Sequence, residues 1–182
     1  MGEPRRTTRF GALAALCIMG VLIATGCASS EAPPPTASSS PTAEKSDAAV
    51  LAAVLDVYTR YSAALDAILA RGDGDYSQLE PLTTPEFFDS FTSADDEFSR
   101  GEWKTTGSTS FDSEELVSSS SSSVAVVLCR DVSRVRVVTV DGVDVTPADR
   151  SERFAVKVTF TSDDSGYLVD SSERTAEDAL CG

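Results

Sequence analysis

The stretch SDAAVLAAVLDVYTRYSAALDAILARGDGD (residues 46–75) sets Val50, Val54, Val57, Tyr61, Leu65 and Ile68 at steps of three and four. That is the period of a helix with one apolar face. Ser46 suits the N-cap, and Gly72 and Gly74 stop the helix near Arg71. So long an amphipathic helix needs a partner surface to cover its stripe, and the residues that follow supply candidates.

TTPEFFDSFTSADDEFS (83–99) reads as a second helix, with Thr84 as cap, Pro85 in the first turn, and Phe87, Phe88, Phe91 and Phe98 on its buried side. From Trp103 the period changes to two. WKTTGSTSF (103–111) alternates as one strand, and SVAVVLCRDVS (123–133) is a denser, more buried one. RVRVVTVDGVDVT (134–146) reads as a hairpin whose Asp141-Gly142 pair fits a type I′ turn. RFAVKVTF (153–160) puts Phe154, Val156, Val158 and Phe160 on one face, and YLVD (167–170) is a last strand. Ser118 to Ser123 read as a flexible connection.

Helices followed by a run of antiparallel strands make an α+β domain, in which the sheet must curl around the long helix to bury both. A β-sandwich is the alternative if residues 75–99 are mostly loop. The order and lengths, with the pattern VVLCRDVS…VDG…RFAVKVTF…GYLVDSS…C, resemble the NTF2-like (SnoaL-like, cystatin-like) superfamily, and within it a group of actinobacterial lipoproteins. The resemblance covers most of 47–182. It implies a long N-terminal helix and short helices packed on a strongly curved antiparallel sheet that forms a cone. Arginine outnumbers lysine 12 to 3 across the chain, which suits a GC-rich genome of that kind.

Upstream of the domain, Arg5, Arg6 and Arg9 precede the apolar run Phe10–Ala24, an n-region and an h-region. The run falls short of the roughly 20 residues that span a bilayer. It ends in Ala24-Thr25-Gly26-Cys27, which resembles the lipobox of bacterial lipoproteins, although Ala24 stands where that family most often has Leu. The resemblance implies cleavage after residue 26 and a diacylglycerol on Cys27. A plain secreted protein and a membrane-buried cysteine are the other readings. Two acyl chains hold a protein firmly on a membrane. Residues 27–46 then read as the lipidated cysteine and a stalk: Pro33, Pro34, Pro35 and Pro41, six serines and no aromatic residue leave too little apolar surface to fold. The expected location is extracytoplasmic, lipid-anchored to the cell membrane.

Residues 28–182 hold 28 acids against 12 bases. Such a surface argues against nucleic acid and against docking flat on an anionic bilayer. With Cys17 in the signal and Cys27 lipidated, Cys129 and Cys181 remain, an even pair in an oxidising compartment, and are expected to form a structural disulfide.

The chain has no histidine, which removes Ser-His-Asp and Cys-His nucleophiles and His-ligated zinc, and it carries no glycine-rich phosphate loop. No cofactor is expected. RGDGDY (71–76) has only part of a calcium-loop pattern and reads as a turn after the first helix, so no metal site is expected. By analogy with NTF2-like enzymes, Asp56, Tyr58 and Tyr61 could face a pocket as a lyase or isomerase site, but a tyrosine on an apolar stripe is more often core. Trp103 is either an exposed anchor for a partner or packed against the second helix. The leading expectation is a non-catalytic binding domain for a small apolar ligand or an envelope protein. A passive wall spacer is the third reading.

Overall fold

Helix α1 (Asp47–Arg71) is the axis of the domain. In this computed structural model residues 46–176 and 178–182 are described. The signal sequence read at 1–26, the lipidation residue Cys27 and the spacer up to residue 45 lie outside the described residues. Ser46 accepts a hydrogen bond from the Ala49 N–H (3.3 Å), and Gly72 closes α1 in the left-handed region, φ 65°. Only glycine serves at that cap, because a Cβ there would lie 2.8 Å from the Lys104 Cβ. By length and composition alone α1 could cross a membrane. Here its apolar stripe is instead the core: Val54, Tyr58, Tyr61 and Ile68 are buried against a sheet.

A 3₁₀ turn (Ser77–Leu82) and helix α2 (Pro85–Thr92) follow, so residues 75–99 are largely helical rather than the loop a sandwich would need. The Thr84 hydroxyl accepts from the Phe87 N–H as N-cap and donates to Asp170 (3.1 Å), while the Thr84 N–H donates to Val169 O (2.9 Å). One residue thus starts α2 and fastens it to the last strand. The helix ends at Thr92, not near Ser99 as its periodicity suggests. The reason is local: Asp96 accepts from the Ser99 N–H (2.8 Å) while Ser99 Oγ accepts from the Asp96 N–H (3.0 Å), side-chain bonds that replace helical ones. Phe98 therefore leaves α2 and packs edge-on against Trp103, ring centroids 5.8 Å apart, so Trp103 is a packing residue.

The strands are β1 (Trp103–Thr106), β2 (Ser110–Ser119), β3 (Ser123–Asp131), β4 (Arg136–Thr139), β5 (Arg153–Asp163) and β6 (Gly166–Arg174). β2, β3, β5 and β6 make one antiparallel sheet in that order, and β1 pairs with β4 in a separate ribbon. Three sequence expectations are corrected here. The segment 103–111 is two strands in different sheets, broken at Gly107, whose φ of 83° and approach to Arg134 O leave no room for a side chain: a Cβ would stand 2.0 Å from that oxygen. Asp66 of α1 holds the crossing by accepting from both the N–H and the hydroxyl of Thr109, each at 2.8 Å.

Nor is the serine run a flexible connection. Ser118 and Ser119 end β2, Ser123 begins β3, and the turn between is closed by Ser120 N–H to Ser123 O (2.9 Å) and Ser123 N–H to Ser120 Oγ (3.0 Å). The Asp141-Gly142 turn is not type I′, because only Gly142 has positive φ. Gly142 N–H reaches Thr139 O (2.9 Å) and Thr139 N–H reaches Val143 O (2.9 Å), a type I turn with a glycine bulge.

Register places Val124 between Phe160 and β2, Val126 beside Val158, and Leu128 beside Val156, all on the face toward α1. β2 carries two register shifts and β6 pairs with β5 through one, irregularities that bend and twist strands locally. The architecture is α+β: a long N-terminal helix, short helices and an antiparallel sheet. On the opposite face Cys129, fully buried, is paired with Cys181, their Cα atoms 5.2 Å apart, and this holds the C-terminal 3₁₀ turn (Asp178–Cys181) against β3 and β5.

Candidate ligand cavity

At one end of the core the side chains do not fill the space between α1, α2 and the sheet. A half-open cavity of about 340 Å³ remains, walled by Tyr61 and Leu65 of α1, Tyr76, Phe87 and Phe91 on the helical side, and Arg130 and Ser172 on the sheet side. The aromatic rings are in series: Phe111 on Tyr58 (5.0 Å between centroids), Tyr58 on Tyr61 (5.7 Å), Tyr61 on Phe87 (6.1 Å), Phe87 on Phe91 (5.1 Å), and Phe91 on Tyr76 (5.5 Å). Such mutual contacts hold each ring in place and keep the wall preformed.

Arg130 reaches the cavity because strands alternate. Val124, Val126, Leu128 and Arg130 share the core face of β3, and Arg130 sits at the end of that row opposite Phe111 and Phe154. Ser172 stands on the core face of β6 opposite Val158. The Arg130 Nε, the Ser172 Oγ and the neighbouring Tyr58 hydroxyl are all buried with no hydrogen-bond partner among the described residues. Burial pushes the Tyr61 hydroxyl far up, Tyr58 adds to the shift, and the Arg130 charge opposes it, so Tyr61 is a neutral donor. Tyr76 is raised too, by burial and then by the Asp96 carboxylate at the rim. Asp96 forms no ion pair with Arg130.

The residues singled out as a conceivable acid-base site are not brought together. Tyr61 lines the cavity and Tyr58 lies behind it, but Asp56 is on the exposed side of α1, ion-paired with Arg60 at 3.1 Å. The other acids are occupied or dispersed. Asp73 and Asp75 accept backbone N–H groups of their own turn (3.1 and 3.0 Å). Glu114 and Glu115 belong to β2. Among the described residues no group of three or more His, Cys, Asp or Glu is placed to hold a metal ion.

One charged cluster is structural. Arg153 of β5 donates to both Asp112 oxygens (3.0 and 3.1 Å), to Asp131 (3.0 Å) and to Cys181 O (3.4 Å), joining β2, β3 and the C-terminal turn beside the disulfide. Hydrogen bonds from Ser133, then from Arg153, lower the Asp131 carboxyl to about 2. A depressed carboxyl adds stability that is complete above its unfolded value, about 4. That contribution is lost as pH falls from about 4 through about 2. Melting curves between about pH 6 and about pH 2 should therefore show the parent losing more stability on acidification than Asp131→Asn; parallel losses would remove this residue from the acid response.

Arg130 and Ser172 were not among the sequence candidates. The signal was present, since Arg130 continues the apolar alternation of β3, but a charge at the end of a strand ordinarily turns to solvent. No protein-family model matches this chain, and no curated protein matches it.

Proposed function

We propose that this chain is a cell-envelope lipoprotein, tethered through Cys27 to the outer face of the cytoplasmic membrane, whose NTF2-like α+β domain binds a small ligand in the cavity without transforming it. The carrying observation is the preformed aromatic cavity of about 340 Å³, at the lower end of the size range of small-molecule sites. The disulfide between Cys129 and Cys181 and the acidic composition suit an extracytoplasmic protein. The lipobox-like Ala24-Thr25-Gly26-Cys27 after the short h-region marks Cys27 as the lipid-bearing tether, and the proline-serine spacer carries the domain outward.

Two measurements test the two halves of this reading. Cys27→Ala should release the protein from the membrane fraction or leave an uncleaved precursor, and normal processing with full membrane association would overturn the anchor. Ala94→Trp places a large ring at the cavity wall. Calorimetric titration of the full chain with phenylbutyl compounds should give saturable one-to-one binding that this substitution abolishes. Binding unchanged by Ala94→Trp would move the ligand elsewhere.

A further inference from the structure

We infer that the cavity selects a monoanion, a small carboxylate on an apolar or aromatic body, with Arg130 and Ser172 receiving the carboxylate and the rings of Tyr61, Phe87 and Phe91 receiving the body. This rests on the cavity being a binding site, as proposed above.

Arg130 projects from the core face of β3 into the cavity, and its Nε is buried with no partner. A guanidinium N–H removed from water and left unpaired is costly. Ser172 Oγ, from β6, is buried without a partner at the same cavity. Two residues on two strands therefore line one cavity, each keeping a buried polar atom without a partner. Arginine has only donors and serine can donate through its hydroxyl, so an acceptor answers both. A carboxylate is the natural one, since its two oxygens can take Arg130 and Ser172 together.

Several carboxylates of the domain are engaged elsewhere. Asp112 and Asp131 are engaged by Arg153, Asp66 by Thr109, and Asp170 by Thr84. Asp96, the acid at the rim, accepts from the Ser99 N–H (2.8 Å) and makes no ion pair with Arg130. Its charge at the mouth disfavours dianions. The size limits the body of the ligand to about one ring with a short chain, because small-molecule sites of this volume enclose most of what they bind.

The test uses three ligands of one shape, phenylbutyrate, phenylbutanol and phenylbutylamine, titrated into the full chain by calorimetry. The expected order is carboxylate over alcohol by about tenfold or more, the range of a charge-assisted hydrogen bond, with the amine weakest. Arg130→Met retains an apolar stem and should bring carboxylate and alcohol within about threefold, chiefly by weakening the carboxylate. Ser172→Ala should narrow the gap less, and it covers the case in which Arg130→Met does not fold. Equal affinities for carboxylate and alcohol in the parent protein would overturn the anion preference while leaving a binding cavity. A preference for the amine would overturn it in favour of Asp96. Binding of none of the three would overturn the binding reading itself.

Discussion

Phe160→Ala should lower the free energy of unfolding by about 3–5 kcal/mol, the cost of truncating a fully buried aromatic side chain. Phe160 has no exposed surface and stands at the centre of the sheet, opposite Val124 on β3 and Val169 on β6. Val169 is also the residue to which Thr83 and Thr84 attach. Removing the ring thus opens a void where the sheet, α1 and the start of α2 meet, and three separate backbones cannot all close on it. A domain of this size has only about 5–15 kcal/mol in total, so the variant should melt far below the parent. Urea unfolding followed by circular dichroism measures the difference. A loss below about 1.5 kcal/mol would place Phe160 outside the core.

The second large effect concerns the pair Cys129 and Cys181. Closing a stretch of 52 residues restricts the unfolded chain by about 4 kcal/mol on the loop-entropy estimate, less whatever strain the native state bears. The Cys129→Ala, Cys181→Ala double variant should therefore lose on the order of 3–4 kcal/mol. Replacing both residues leaves no unpaired partner of the broken disulfide in the domain. The loss should be larger than that from Arg153→Ala, which removes two partly exposed ion pairs and a long hydrogen bond to Cys181 O at the same edge, such pairs typically being worth under about 1 kcal/mol each. A double variant as stable as the parent would mean that the C-terminal turn contributes nothing to the fold.

Much of this architecture was legible in the sequence where one physical signal dominated. The stripe from Val50 to Ile68 marked α1 and its buried face, with both caps, because an isolated long period of 3.6 has no rival reading. β3 and β5 declared themselves by dense β-branched residues. β2 did not, because an edge strand such as FDSEELVSS has one partner and a mostly exposed surface, and so needs no apolar alternation. The helix ending at Thr92 was hidden for a different reason. Phe98 stays in phase with Phe91, while the Asp96–Ser99 bonds that break the helix leave no periodic trace.

The cavity was the least legible feature. Its aromatic members were visible as separate helix faces, yet their meeting depends on how α2 docks through Thr84 onto β6. Arg130 looked like the polar end of a strand. Only the register, which sets it after Leu128 on the inward face, shows that it points into the core.

The most direct measurement is a crystal structure of the protein with phenylbutyrate. The carboxylate is expected within hydrogen-bond distance of the Arg130 guanidinium and the Ser172 hydroxyl, with the phenyl ring among Tyr61, Phe87 and Phe91. A guanidinium turned out to solvent, with the cavity filled by neighbouring side chains and the ligand bound elsewhere or not at all, would contradict it.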